Sequence, residues 1–353
     1  MDVHVALNGR ATPDITRGCP WIAETHAIDL REFDDPGTAR TAVARLPQRW
    51  DYILEDTTVL LPEDDLDDAF FSADERAVQR QLKAYCELTT TQLVATRGRG
   101  STSPSLQLPE GLGYRPQSQV IMAVPPENRA FARRYAHEGP KVCILLGGSD
   151  NYYRYPDVSS WVKIIGAIRD AFPGVRFFLT GVRGSVRGQT STAGYSGDAV
   201  QRLLDSGPDV ADCYDIGLWN QLALMELCDV FLSPHTGFAF LAPCVGTPWL
   251  ALSGGHWPEY FFNDVPFYSV LPDDPEFPYR GRLYPEGSTT KLPSMRPENL
   301  DRKIPEIVEG MRLLLDPAFS YPAAIDRYRE NIARANINRD CMILPTDPSL
   351  AAF

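Results

Sequence analysis

Hydrophobic patterning divides the chain into a weakly patterned first half and a sharply patterned second half. Lys141–Leu146 is a continuous apolar run that breaks at Gly147-Gly148-Ser149-Asp150, which predicts a strand buried on both faces followed by a turn. Trp161, Ile164, Ile165 and Ile168 are spaced three and four apart and predict an amphipathic helix that stops at Pro173-Gly174. Val175–Thr180 is the next strand, ending at Gly181, and Arg183–Gly197 is a Gly/Ser/Thr-rich loop. The pattern then predicts helix at Ala199–Leu204, strand at Asp212–Ile216, helix at Asn220–Cys228 and strand at Val230–Leu232. Helix at Phe238–Val245 and strand at Trp249–Leu252 follow, with amphipathic helices at Pro297–Leu315 and Pro322–Ala333. Strands alternating with helices in this way predict a parallel, doubly wound sheet covered on both faces.

In the first half, Val3–Leu7 alternates like a strand and ends at the turn signal Asn8-Gly9, and His26–Leu30 is a second short strand. Thr38–Leu46 and Ala73–Leu88 have helical spacing, Trp50–Leu54 is a strand running into Glu55-Asp56, and Arg97–Pro109 reads as a loop. Val120–Val124 is a further strand, followed by Pro125-Pro126 and a basic helix from Glu127 to Ala136. No period of 20–50 residues appears, so the chain is not a solenoid.

Composition narrows the function classes. The 353 residues carry 34 Lys and Arg against 46 Asp and Glu, a net charge of −12, which argues against a general nucleic-acid binder or a protein held on anionic lipid. With 44% hydrophobic residues the chain can build a large core. Its 7 cysteines are scattered, with no C-x-x-C, so neither a zinc ribbon nor a disulfide framework is expected. No signal peptide and no apolar run long enough to span a bilayer is visible, and a cytoplasmic protein is the expectation.

Ligands of doubly wound sheets bind at the carboxyl ends of the strands. The residues there are Gly147-Gly148-Ser149-Asp150, Thr180-Gly181, Asp215-Ile216-Gly217, Ser233-Pro234-His235-Thr236-Gly237 and Ser253-Gly254-Gly255-His256. Glycine beside a hydroxyl or carboxylate recurs, and glycine lets backbone amides approach a phosphate. P-loop, zincin, hydrolase-elbow and dinucleotide glycine motifs are all missing.

The stretch Leu232–Leu252, LSPHTGFAFLAPCVGTPWLAL, resembles the NDSG…HLAAALGTPVVALFG element of glycosyltransferase family 9, the heptosyltransferases with the GT-B fold. Asp215–Cys228 resembles that family's TS-L-EL-ALL helix, and Lys141–Arg154 its VVLHPG strand and the basic residue that follows. The likeness covers Val120 to Leu271 and is one of spacing more than identity. It implies an α/β chain of GT-B type, two Rossmann-like doubly wound domains facing a central cleft. Residues 1–120 would form the acceptor side, 121–320 the nucleotide-sugar side, and 321–353 a helix and tail crossing back. Carried over, Gly148, Ser149 and Arg154 belong to the donor-phosphate site, Gly181 to the nucleotide side, and Thr236 and Gly237 to the diphosphate. His235-Thr236-Gly237 stands where the family has Asp-Ser-Gly, which keeps the phosphate contact and replaces the carboxylate at the sugar.

Asp2–Leu30 resembles the second strand and third segment of the family's acceptor domain, and Trp50–Asp56 its YDLVIDLQ strand. On that alignment the first strand and its Gly-rich loop, which carries the family's proposed catalytic base, have no counterpart. Either Val3–Leu7 is the first strand with Asp14 available, or the base comes from elsewhere, or the chain starts downstream of the family's beginning. An inverting transfer needs a base beside the acceptor hydroxyl. Glu55 and Asp56 at a strand end are the candidates, with His256 as the other. Asp65-Leu66-Asp67 has the form of a metal-binding D-x-D but reads as an acidic helix start. The expected activity is metal-independent, inverting transfer of a sugar from a nucleotide-diphosphate donor to a soluble small-molecule or polypeptide acceptor, with no other cofactor and no metal. Two other readings stay open: a GT-B-type sugar-nucleotide epimerase, and a catalytically silent donor-binding partner subunit.

Overall fold

The computed structural model describes residues 2–8, 13–28, 121–148, 154–186, 189–190, 195–254, 264–277 and 291–339. The sequence elements at 38–46, 50–56, 73–88 and 97–109, and the acidic triplet 65–67, lie outside the described residues. The chain divides into two compact units, one built from 1–96 and 101–115 with 352–353, the other from 97–100 and 116–351. In the first unit, β1 (Val3–Asn8) pairs in parallel with β2 (Ile22–Ile28), with a 3₁₀ turn at Pro13–Gly18 between them. Thr16 on that turn hydrogen-bonds Thr25 of β2 through their hydroxyls.

The second unit is built on a six-stranded sheet of β3 (Lys141–Leu145), β4 (Arg176–Gly181), β7 (Val210–Tyr214), β8 (Val230–Pro234), β9 (Trp249–Leu252) and β10 (Phe267–Val270). Two-residue strands β5 (Ser185–Val186) and β6 (Gln189–Thr190) make a separate antiparallel ribbon within the loop 183–197. Every pairing in the large sheet is parallel. The strand order is β10-β9-β8-β3-β4-β7, which in chain order within the sheet is the 3-2-1-4-5-6 of mononucleotide-binding folds. Chain direction across the sheet therefore reverses between β3 and β8, the topological switch point.

Both faces of the sheet are covered, which is why its strands read as unbroken apolar runs rather than alternating ones. Val142, Ile144, Phe177, Leu179 and Leu232 share one core with Trp161, Ile164, Ile165 and Ile168 of α2 (Val158–Ala171). That core continues through α3 (Gly197–Leu204), α5 (Pro297–Leu315) and α6 (Tyr321–Arg334), whose Tyr328 ring meets Phe267 of β10 edge-on at 5.7 Å. On the opposite face Tyr135 packs edge-on to Phe178 at 5.6 Å. There α1 (Pro126–Ala132) is joined to α4 (Leu218–Leu227) by a two-bonded Arg129–Glu226 pair and by Asn128 donating to Asn220 at 2.7 Å.

The structure corrects the sequence reading in several places. Residues 121–125 form no strand; Met122 makes one backbone bond to the Cys244 carbonyl at 2.8 Å. The strand expected at 212–216 is Val210–Tyr214, because Asp215 (φ 58°) and Gly217 (φ 86°) turn the chain out of extended geometry. The helix expected at 238–245 is two 3₁₀ turns, Phe238–Leu241 and Pro243–Val245, because Pro243 lacks the N–H that would continue a helix and Gly246 (φ 82°) ends it. The helix from Pro126 tightens to 3₁₀ at Arg133–Tyr135. β10 was not expected at all.

Cys143, Cys228 and Cys244 are buried, as their apolar surroundings predict, and the five cysteines among the described residues are free thiols. Burial pushes the Cys213 thiol up to about 12 and the Cys228 thiol well above its ordinary value, so neither is a thiolate nucleophile at neutral pH. Among the described residues no helix is long and apolar enough to cross a membrane.

Candidate functional site at the switch point

The loops leaving β3 and β8 meet at the switch point. A methyl group at Gly148 would stand 3.1 Å from Thr236 Cβ and 3.0 Å from the Tyr155 hydroxyl. At Gly147 it would stand 2.7 Å from the Tyr155 ring and 3.2 Å from Tyr195. Gly147 is thus required for the turn to pass beneath Tyr155, and at Gly148 a side chain would press closely on Thr236, so the backbone there runs bare beside it.

Tyr155 and Tyr195 are the pegs that hold this turn. The Tyr195 hydroxyl accepts from Trp161 Nε1 at 3.2 Å and lies 3.1 Å from the Leu146 carbonyl, within reach of the Pro156 carbonyl as well. The end of β3, the start of α2 and residue 195 are therefore tied through one buried oxygen. The Tyr155 carbonyl accepts from Lys291 Nζ at 2.6 Å. Burial lowers the Lys291 ammonium to about 8, against the opposing pull of Asp157.

Asp157 explains what α2 does at this edge. Its carboxylate accepts from the Ser160 amide at 2.7 Å and the Ser159 hydroxyl at 2.8 Å, capping α2. Burial would raise its pKa, but the bonds from Ser160 and Ser159 outweigh it and hold the carboxyl below its ordinary value. The helix N-terminus that mononucleotide folds offer to a phosphate is thus filled by the chain's own carboxylate.

At that exit, Ser233 accepts from Trp249 Nε1 at 3.0 Å, and the His235 ring stands edge-on to Trp249 at 5.7 Å. The Thr236 hydroxyl accepts from the Ala239 amide at 3.1 Å and caps the 3₁₀ turn. Gly237 is exposed with φ −58°, and a Cβ there would meet nothing within 4 Å. Its side-chain-free surface is therefore not demanded by the fold.

Arg154 is half-buried just before Tyr155. Gly181 (φ 145°) ends β4 with its carbonyl accepting from the Asp215 amide and from Gln221 Nε2, both at 3.0 Å, so its polar group serves the β4–β7 edge. Beyond it, Arg183 pairs with Asp212 at 2.6 Å and Asp215 at 3.3 Å. Gly254 after β9 lies where a Cβ would come within 3.5 Å of the Ser294 hydroxyl and would overlap the Met295 side chain, which places the 291–295 segment along the same sheet edge.

The structure thus brings Gly148 and Thr236 together, with Gly237 beside Thr236 in the chain, and adds Tyr155 and Lys291, which the sequence reading missed. Lys291 follows the undescribed stretch 278–290 and belongs to no motif, so no sequence signal marked it. Ser149, Glu55, Asp56 and His256 lie outside the described residues.

No family model and no curated protein matches the chain in sequence. Among solved structures it is similar to the glycosyl transferase family 9 protein from Veillonella parvula DSM 2008, with 12% identity over 89% of this chain and 88% of that one and a TM-score of 0.50. E. coli ADP-heptose LPS heptosyltransferase II matches at 11% identity over 88% and 90% of the two chains, with a TM-score of 0.46. UDP-GlcNAc 2-epimerase from Neisseria meningitidis matches at 13% identity over 94% and 69%, with a TM-score of 0.31. The Veillonella protein shows the fold of this chain to be the α/β, GT-B type expected from the sequence.

Proposed function

We propose that the protein is a glycosyltransferase that moves a sugar from a nucleotide-diphosphate donor to a soluble acceptor, without a metal at the diphosphate and with inversion at the anomeric carbon. The observation that carries this reading is the switch point, where bare backbone at Gly148 abuts Thr236 in a 3-2-1-4-5-6 sheet. A diphosphate there would lie against Gly148 and Gly237, with Arg154 and Lys291 offsetting its charge. An arginine grips phosphate through two parallel hydrogen bonds, and fixed donors of this kind stabilise a departing diphosphate without a metal.

In the transfer, the acceptor oxygen attacks the anomeric carbon as the bond to the β-phosphate oxygen breaks. The nucleoside diphosphate leaves with that electron pair, and the acceptor proton passes to a base. Glu55, Asp56 or His256 would fill that role. A small-molecule or polypeptide acceptor fits the net charge of −12 better than an anionic lipid, and a cytoplasmic site of action follows from the same reading.

Thermal melting of wild type and Arg154→Ala against ADP, GDP, UDP, CDP, dTDP and NAD tests this. A ligand at about a hundred times its Kd adds roughly 2.7 kcal/mol. One diphosphate stabilising the wild type, and the variant clearly less, supports the reading and names the base. No stabilisation by any diphosphate overturns it. Turnover of the donor sugar with no acceptor present would instead favour an epimerase.

A further inference from the structure

In the first unit, the parallel pair β1–β2 gathers three metal-ligating side chains on one face. His4 stands on β1, and Glu24 and His26 on β2. The register steps between Val3 and His4: Val3 pairs with Ile22 but His4 with Glu24, so Ala23 is skipped. Side chains alternate along a strand, so the skip sets Glu24 directly beside His4 and puts His26 two residues further on the same face. Without that step, Ala23 would stand opposite His4 and both Glu24 and His26 would point to the other side.

The three groups converge closely. His4 Nδ1 lies 3.1 Å from His26 Nε2 and 3.6 Å from one Glu24 oxygen, while His26 Nδ1 lies 3.8 Å from the other. One ligand atom from each of the three falls within 4.8 Å of the others. The rings are stacked at 5.4 Å with planes 9° apart. Ligands on a tetrahedral zinc, each about 2.0–2.1 Å from the metal, stand roughly 3.4 Å apart. His4 Nδ1 already stands near that separation from both His26 Nε2 and one Glu24 oxygen. The 3.8 Å contact uses the other nitrogen of His26 and the other oxygen of Glu24, and the set as a whole closes to within 4.8 Å. The histidine side chains are 21% and 13% exposed and Glu24 is 59% exposed, which leaves the approach on the carboxylate side.

We propose that His4, Glu24 and His26 form a binding site for a divalent transition metal, with zinc the ion that fits best. Two imidazoles and one carboxylate suit zinc and its neighbours, whereas magnesium and calcium prefer all-oxygen sets. Three protein ligands leave the fourth position for water or a substrate oxygen, the pattern of metal sites that do chemistry rather than closed structural ones. The proposal does not rest on the donor-site reading.

The test uses the full chain. Wild type, Glu24→Gln and His26→Asn are stripped with EDTA, loaded with Zn²⁺ alone, freed of excess metal and assayed for bound zinc. The expected result is one zinc per wild-type chain, and binding weaker by on the order of a hundredfold or more in each variant, since even residues behind the ligands cost ten- to a hundredfold. Cobalt loading should give visible bands of a low-coordinate ion without the near-ultraviolet thiolate band that the cysteines would produce. Glu24 is exposed, so Glu24→Gln should leave the fold intact, and that variant is decisive if His26→Asn unfolds. No retained zinc at micromolar free metal, equal retention in Glu24→Gln, or a thiolate band in wild type overturns the proposal.

Discussion

Gly147→Ala is the most informative single perturbation of the turn beneath Tyr155. Gly147 does not sit in the left-handed region, so alanine fits its backbone. The new methyl would stand 2.7 and 2.8 Å from two carbons of the Tyr155 ring, where ordinary contact begins near 3.4 Å, and 3.2 Å from Tyr195. Neither ring yields easily: Tyr155 is 3% exposed with its carbonyl held by Lys291, and Tyr195 is tied to Trp161 and Leu146. Overpacking of this kind costs about 1–3 kcal/mol. Removing a glycine from the unfolded chain returns about 0.4–1 kcal/mol, leaving a net loss of about 1.3 kcal/mol at the midpoints of the two ranges. At about 2–4 °C per kcal/mol for a unit of this size, Tm should fall by about 3–5 °C. Shrinking the ring should relieve the clash, so Gly147→Ala with Tyr155→Leu should cost at least about 1 kcal/mol less than the two single changes summed. Denaturant melts of the four proteins measure the cycle. Strict additivity, or Gly147→Ala within about 0.5 kcal/mol of wild type, would refute the packing argument.

Other consequences of the same geometry can be checked in parallel. Thr236→Val removes the acceptor for the Ala239 amide and should cost about 1 kcal/mol, read in urea melts. Asp157→Ala should cost about 0.5–2 kcal/mol at neutral pH through the lost cap. Because the folded pKa of Asp157 lies below its ordinary 3.8, the stabilisation is complete above that value and lost as pH falls through the lower one. The gap between variant and wild type should therefore close in acid melts. Lys291 has the opposite leaning: between about 8 and 10.5 the unfolded chain holds a proton that the folded chain has released. Its contribution to stability therefore rises with pH across that window, and Lys291→Met should flatten the rise.

The contrast between what the sequence revealed and what it concealed has a physical basis. β3, β4, β8 and β9 lie in the sheet interior, so their central residues are apolar on both faces and the strand announces itself. β10 is four residues long, holds Ser269 and closes one edge of the sheet, and its short mixed run carries no period. Phe238–Val245 has helical composition, yet Pro243 breaks the amide ladder that composition cannot see. The switch-point glycines were legible because turns at strand ends need small residues. Tyr155 and Lys291 were not, because each reaches the site from a loop and through a contact 136 residues apart in sequence. The same holds for His4, Glu24 and His26, whose convergence depends on one skipped residue in the register.

Gly237 offers the most direct test of the central claim, because its open surroundings uncouple ligand contact from folding. The measurement is a calorimetric titration of the nucleoside diphosphate panel, in EDTA, into wild type and Gly237→Val of equal Tm. One site per wild-type chain, weakened at least about tenfold by the added side chain, is the predicted result, a change of about 1.4 kcal/mol. Equal affinity in both proteins, or no binding of any diphosphate, would contradict a donor site at the β3–β8 switch point.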